Sequence, residues 1–195
     1  HRDLHSFPTR RSSDLVVGSF GKEQYNLSHR GSKDGFYWDI SLQKKSTDNF
    51  KDGWGREIAD QLNSTNNTYK IGKRFGEMAD VNVVYQTYTS DYLRPTGGWS
   101  DLVKDRKWGQ YNTGEKNNTK LTVNYRQKFG DHAENQLSVF RYQHRQDELA
   151  WQNKHKPTAY TAPAIYHYST IGLSDQFNFR LGAQHRQLPD RKSVV

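Results

Sequence analysis

Lys-Leu-Thr-Val-Asn-Tyr-Arg-Gln-Lys, residues 120–128, determines the fold class of this chain. Apolar side chains at Leu121, Val123 and Tyr125 alternate with polar ones. Successive side chains of a β-strand point to opposite faces of a sheet, so the stretch predicts a strand with one apolar and one strongly polar face. Residues 177–184 repeat the alternation.

The composition offers little material for a buried core. Of the 195 residues, 32% are hydrophobic, compared with roughly 45–50% in soluble domains. Aromatic residues nevertheless make up 13% of the chain, and cysteine is absent, which excludes a disulfide-stapled scaffold. No run of about eighteen apolar residues is present, so no transmembrane helix is predicted. The apolar strand faces therefore need a covering other than a second protein layer.

A series of strand-like runs is joined by connections that alternate between short and long. The pattern predicts strands near 22–30, 36–45, 68–75, 81–93, 119–129, 135–148, 164–173 and 176–185. Short turns are predicted at 31–35, 76–80, 130–132 and 174–175, and long polar loops at 46–67, 94–117 and 149–163. This order predicts a meander of antiparallel hairpins. Val139 and Phe140 are apolar neighbours that belong to opposite faces of a regular strand, and a β-bulge there would allow both to lie on the apolar face.

Short turns at one edge of a sheet and long loops at the other are typical of an outer-membrane barrel. In lipid every backbone polar group must be bonded within the sheet, so a closed barrel is the strand-based way to span a membrane. Outward side chains then contact lipid, and inward ones can be charged. We therefore predict an all-β chain, an antiparallel meander that forms part of a transmembrane β-barrel in the outer membrane of a Gram-negative-type bacterium.

Both ends of the chain resemble translated sequencing adapter rather than natural protein. Residues 1–15, HRDLHSFPTRRSSDL, match the in-frame translation of a common adapter, and residues 190–195, DRKSVV, match its reverse complement. We expect both segments to be adapter-derived and the first to be disordered, and we exclude them from the fold prediction. The natural segment is then 16–189, an internal piece of a longer protein.

Several motifs of the natural segment occur in a recognisable order. Gly18-Ser19-Phe20-Gly21 precedes a polar strand at 24–28, and the next strand ends at Ser46-Thr47-Asp48-Asn49-Phe50-Lys51-Asp52-Gly53. In order and spacing these motifs resemble the start of the barrel in TonB-dependent outer-membrane receptors. The run 179–185 resembles a recurrent barrel strand of that family, although its last two residues replace the usual Arg-Tyr.

The resemblance implies a fragment of a receptor for active uptake of a metal chelate, such as a ferric siderophore, haem or cobalamin. It implies outer-membrane lipid and a TonB-type energising protein as partners, the latter acting through a plug segment that we expect to be missing here. It implies no catalysed reaction, no cofactor and no nucleic acid. Two alternatives stay open: a passive porin-like barrel, and a basic nucleic-acid-binding β protein, because a net charge of +8 with many aromatics suits stacking on bases.

The predicted long loops carry the candidate ligand-binding residues. Tryptophan together with cationic side chains suits a bulky anionic chelate through stacking and electrostatic attraction. These candidates are Trp54, Arg56, Trp99, Arg106, Lys107, Trp108, Trp151 and His155. We predict no catalytic residue and no metal site, because the histidines of the natural segment lack the helical spacing of metal ligands. His144 and His167 could bind haem together only if folding brought them to one place.

Overall fold

In the computed structural model the chain forms an antiparallel β meander. The structure describes residues 10–95, 110–153, 164–181, 184–187 and 191–194. The strands are β1 (Arg10–Gly18), β2 (Lys22–Lys33), β3 (Phe36–Thr47), β4 (Phe50–Lys51), β5 (Glu57–Ile58), β6 (Gln61–Phe75), β7 (Ala79–Pro95), β8 (Gln110–Phe129), β9 (Ala133–Asn153), β10 (Ala164–Leu181), β11 (Gln184–Gln187) and β12 (Arg191–Val194). The described residues contain no helix, and so none that is long and apolar enough to cross a membrane.

Ten of these strands form the main sheet, in the order β1-β2-β3-β6-β7-β8-β9-β10-β11, with β12 also paired to β10. Strands β4 and β5 form a separate hairpin within the loop between β3 and β6. All the pairs of the main sheet are antiparallel. In the described part of the chain, the two ends of this sheet do not pair with each other, so it is an open section of barrel wall.

The two edges of the sheet carry different connections. At the edge that we call the turn edge, tight turns join β2 to β3, β6 to β7 and β8 to β9. Asp34, Gly35, Gly76 and Gly130 adopt positive φ angles of 52°, 81°, 62° and 63° in these turns. The opposite edge, the loop edge, carries the long connections together with the β1–β2 turn. The predicted alternation of short and long connections is therefore found from β2 to β10.

The predicted turn at residues 174–175 is wrong. Strand β10 runs without interruption from Ala164 to Leu181, and Ser174 and Asp175 lie directly opposite Ser138 and Leu137 of β9. Because β9 pairs with β10 from Ala164 to Phe179, two residue types that often form turns remain in an extended strand.

The predicted loops are too long because the strands continue through polar sequence. Residues 61–67 belong to β6, and Thr65 bonds Thr89 of β7 through their hydroxyl oxygens at 2.6 Å. Ladder hydrogen bonds use the backbone, so they do not require apolar side chains, and cross-strand polar pairs stabilise the sheet further. The bulge expected near Phe140 is also wrong, since β9 pairs with β10 in one continuous register.

The chain ends differ from the disorder expected for residues 1–15. Residues 10–15 form the first part of β1 and pair with β2. Strand β12 lies within the C-terminal segment expected to be adapter-derived. An open sheet edge offers a row of unpaired N–H and C=O groups to any extended chain, whatever its sequence. The adapter origin of both segments stays a prediction.

One face of the main sheet, which we call the outer face, carries a continuous apolar band. Exposed side chains of this band are Leu27, Ile71, Leu121, Val123, Val139, Ile171 and Leu173. Aromatic rings border it, with Tyr25, Tyr69 and Tyr85 towards the loop edge and Phe36, Phe75, Tyr125, Phe129 and Phe177 towards the turn edge. No described side chain falls below 2% exposure. No second protein layer therefore covers the band in the described residues.

The dimensions and path of the band fit a bilayer crossed by tilted strands. From Leu121 to Phe129, a strand tilted by about 40° with about 3.3 Å rise per residue spans about 20 Å along the membrane normal. The band of an outer-membrane barrel is about 25 Å tall. Leu27 and Leu42 are direct partners in the band, but their row continues through polar Asn67 and Thr87. The band thus shifts towards the turn edge across the sheet, as strand tilt requires.

Candidate functional site

The inner face, opposite the apolar band, carries side chains that are bonded to one another across the strands. Tyr37 Oη donates to Asp80 Oδ1 at 2.9 Å, and Asn82 Nδ2 donates to the same oxygen at 3.1 Å. Asn124 Nδ2 donates to Asn82 Oδ1 at 2.8 Å, and Ser138 Oγ donates to Asn124 Oδ1 at 2.7 Å. This chain of bonds, which we call the first inner cluster, links β3, β7, β8 and β9 and fixes their side chains in one arrangement.

Gly72 makes the first inner cluster possible. It lies directly opposite Tyr37, and a Cβ atom at position 72 would fall 2.4 Å from the ring Cζ and 2.5 Å from Oη. Because Gly72 has no side chain, the Tyr37 ring can lie across β6 and reach Asp80. The Lys70 ammonium and the Arg74 guanidinium lie 5.5 and 5.0 Å from the ring centroid. The ring is therefore held by cations as well as by its hydrogen bond.

A second inner cluster repeats this arrangement nearer the loop edge. Tyr92 lies across Gly114, where an added Cβ would fall 2.4 Å from both Cζ and Oη. Tyr92 Oη donates to Glu148 Oε1 at 3.0 Å, and Gln146 Nε2 donates to Tyr92 Oη at 3.3 Å. Arg94 lies 4.6 Å from the centroid of the Tyr92 ring, and Tyr92 is only 5% exposed.

A third inner cluster contains the single histidine that faces inward from β9. His144 Nδ1 donates to Asn118 Oδ1 at 2.6 Å, and its ring stacks on Tyr168 with centroids 4.8 Å apart. Phe140 covers Gly172 in the same way as the two tyrosines cover their glycines, and this explains why an apolar residue faces inward there.

His144 and His167 do not meet. They lie on adjacent strands, but His144 pairs with Tyr168 and His167 pairs with Arg145, so the two imidazoles point to opposite faces. They cannot ligate one haem together. In the described residues, no group of three or more His, Cys, Asp or Glu side chains is placed to hold a metal ion.

The loop between β3 and β6 holds two of the predicted ligand-binding residues in one turn. Asp52 Oδ1 accepts hydrogen bonds from the backbone N–H groups of Trp54 and Arg56, each at 2.9 Å. Arg56 Nε donates to Asp52 Oδ2 at 2.8 Å, and the guanidinium lies 4.9 Å from the centroid of the Trp54 ring. The indole is 63% exposed. Arg56 therefore positions an exposed aromatic surface.

Hydrogen bonds and a nearby positive charge lower the pKa of the Asp52 carboxyl. Burial of its side chain, which is 3% exposed, acts to raise the pKa. The hydrogen bonds from Arg56 and Trp54 and the positive charge of the guanidinium outweigh burial, and they hold the pKa of Asp52 below its usual value.

The same loop is braced internally and is anchored to the β1–β2 turn. Asn49 Nδ2 donates to Glu57 Oε1 at 2.7 Å, and the ring of Phe50 lies 5.4 Å from that of Phe20 in the β1–β2 turn. Ile58 of the β4–β5 hairpin is 4% exposed, which makes it one of the most buried side chains described. The loop is thus a folded unit at the loop edge rather than an open polar tail.

Of the predicted site residues, the structure brings Trp54 and Arg56 together. Trp151 lies in strand β9, not in a loop, because β9 extends to Asn153. Trp99, Arg106, Lys107, Trp108 and His155 lie outside the described residues. The glycine–aromatic pairs of the inner face were missed. Glycines at inward positions inside otherwise regular strands are their sequence signal, since such a glycine indicates a close approach of another group.

Together these faces and edges define an open section of antiparallel β-barrel wall with the fold of an outer-membrane barrel, and the predicted fold class is confirmed. Among solved structures the chain is similar to the copper transporter OprC, with a TM-score of 0.64 and 14% sequence identity. The similarity covers 89% of this chain and 26% of that one, so this chain spans about a quarter of that structure's length. At this identity the likeness shows the fold. No family model and no curated protein sequence matches.

Proposed function

We propose that this chain forms part of the wall of an outer-membrane receptor for TonB-energised uptake of a metal chelate, and that it catalyses no reaction. The barrel-section fold shared with OprC, whose name describes a copper transporter, is the observation that carries the proposal. The ordered motifs at residues 18–21 and 46–53 support the TonB-dependent type. The fold and these motifs are compatible with a siderophore, haem, cobalamin or copper-containing substrate.

The inner face suits a polar object inside the barrel better than an open water channel. Its tyrosine, asparagine and serine groups are already bonded to one another, so they keep fixed positions and offer donors and acceptors in a defined pattern. Cations such as Lys116 and Arg94 lie on the same face around Tyr92. We propose that this wall surrounds a plug segment and that its cations favour an anionic chelate on its way inward.

Trp54 is the described residue that we propose to contact the substrate first. Its indole is exposed at the loop edge, and Asp52 and Arg56 hold it in position. A planar or aromatic chelate gains stacking energy on such a preorganised ring, with little ordering cost.

The uptake proposal is tested with the full-length receptor that contains this wall, expressed in an outer-membrane host that lacks its own transporters. Accumulation of radiolabelled ferric siderophore, haem, cobalamin or copper is measured with and without the inner-membrane energising protein. We expect uptake of one substrate class to be lost when the energising protein is deleted. Uptake that persists without it favours the passive porin-like alternative. Steeply salt-dependent binding of an oligonucleotide by the isolated chain favours the nucleic-acid-binding alternative.

The role of Trp54 is tested in the same cells. Trp54→Ala removes the exposed ring, and we expect the concentration for half-maximal uptake to rise about tenfold, the equivalent of about 1.4 kcal/mol. Phe50→Ala in the same loop is a control for loop integrity, because it removes the ring contact with Phe20 but no proposed substrate contact. Equal effects of the two substitutions would mean that the loop fold, not the indole, matters.

A further inference from the structure

Two lysines lie on the outer face at the turn-edge border of the apolar band. Lys33 is the last residue of β2 and Lys73 lies near the end of β6, and both are direct cross-strand partners of Phe36 on β3. Direct partners in an antiparallel sheet point to the same face. The three side chains therefore form one outward row, which we call the Lys33–Phe36–Lys73 row.

The row combines exposed rings with positive charge that is not paired with any carboxylate of the described residues. The Lys73 ammonium lies 4.2 Å from the centroid of the Phe36 ring and 5.6 Å from that of Phe75. Both rings are about half exposed, at 48% and 55%. Within the described residues neither Lys33 nor Lys73 forms an ion pair, although carboxylates are present in the adjoining turns. Two uncompensated ammonium groups thus flank an apolar surface that faces the membrane.

We propose that the Lys33–Phe36–Lys73 row binds the phosphate of an anionic phospholipid in the leaflet at the turn edge. The row lies at the depth where the apolar band gives way to polar groups, so a lipid whose acyl chains lie along the band brings its headgroup to this level. Phe36 and Phe75 continue the band up to the ammonium groups, and a free phosphate ion would leave this apolar surface unused. This site depends on the barrel fold and not on the uptake function.

The experiment uses the full chain folded in detergent micelles, to which phosphatidylglycerol and phosphatidylcholine with identical acyl chains are added. Native mass spectrometry measures the ratio of the two bound lipids. The test variant is Lys33→Gln/Lys73→Gln. The matched control is Lys116→Gln/Lys120→Gln, which removes the same charge from two lysines on the inner face, each of which lies over an aromatic ring.

We expect the preference for phosphatidylglycerol to fall about 30-fold in the test variant and less than twofold in the control. An unchanged preference in the test variant, or an equal loss in the control, overturns the proposal. Displacement of the bound lipid by millimolar inorganic phosphate overturns it as well, because it would reveal a site for a free anion.

A measurement on the unaltered chain covers the case in which the test variant does not fold. The chain is reconstituted in nanodiscs of phosphatidylcholine with or without phosphatidylglycerol and treated briefly with an amine-acetylating reagent. We expect Lys33 and Lys73 to react at least fivefold more slowly when the anionic lipid is present, while Lys116 reacts equally in both. Equal reaction of all three lysines in the two membranes contradicts the proposal.

Discussion

Replacing Gly114 by alanine should destabilise the barrel wall although it adds a single methyl group. The new Cβ would lie 2.4 Å from both Cζ and Oη of Tyr92 and 2.9 Å from Cε1, so the ring must move away from β8. When it moves, Tyr92 Oη leaves the Glu148 carboxylate that it now bonds at 3.0 Å.

The expected cost follows from these two losses. Overpacking by a methyl group costs about 1–3 kcal/mol, and loss of a hydrogen bond to a charged group costs about 1.5–3 kcal/mol. The lower backbone entropy of the unfolded alanine variant offsets about 0.4–1 kcal/mol of this. Because the ring can tilt rather than leave completely, we expect the free energy of unfolding to fall by about 2–3 kcal/mol.

The assay is urea unfolding of the full chain in detergent micelles, followed by circular dichroism. Gly53→Ala is the matched control, because nothing lies within 4 Å of the Cβ it would add, and we expect no loss of stability there. In a Tyr92→Ala background, the cost of Gly114→Ala should vanish, because no ring remains to be displaced. The reasoning is refuted if Gly114→Ala is as mild as the control, or if its cost persists without the ring.

Three further outcomes are expected. The chain has no cysteine, so single cysteines can be introduced at the adjacent positions Thr122 and Val123 and treated in vesicles with a membrane-impermeant thiol reagent. Thr122→Cys should label and Val123→Cys should not. Equal labelling would contradict the assignment of faces. Asp52→Asn should remove an acid transition of the loop, which Trp54 fluorescence would follow. Because the pKa of Asp52 is lowered, its carboxylate stabilises the loop fully above the ordinary carboxyl pKa, and this stabilisation is lost as pH falls through the lowered value. Without detergent or lipid, the chain should sediment as aggregate, and a soluble, cooperatively unfolding monomer would count against a membrane-facing band.

The faces of the sheet could be predicted from sequence, but its finer structure could not. Alternation such as that of Leu121 and Val123 depends on the two-residue period of a strand, which is local. The strand ends, and the false turn at Ser174, depend on whether a neighbouring strand supplies backbone partners, and this is not local. The pairing of Tyr92 with Gly114 depends on register, which a difference of one residue in a turn would change.

The candidate site could likewise be predicted from sequence only in part. Trp54 and Arg56 could be chosen from sequence as an aromatic and a cation in one polar loop, because residue type and proximity in the chain suffice for that choice. The part played by Asp52, which accepts from both backbone N–H groups and from the guanidinium, depends on the turn geometry around Gly55, whose φ is 77°. The sequence therefore indicated Trp54 and Arg56 as candidates, and the structure shows that Arg56 holds Trp54 in position.

The two faces of this sheet should respond differently to their surroundings, because the described wall has almost no protein core. Side chains of the outer band such as Ile71 are 61% exposed, so their burial depends on lipid or detergent. Inner-face groups such as Tyr37 and Asn124 bond to protein partners that are present in any environment. Thus Ile71→Ala should change stability by an amount that varies with the lipid. Tyr37→Phe removes one of the two hydrogen bonds that Asp80 Oδ1 accepts, and it should cost a similar amount in every lipid.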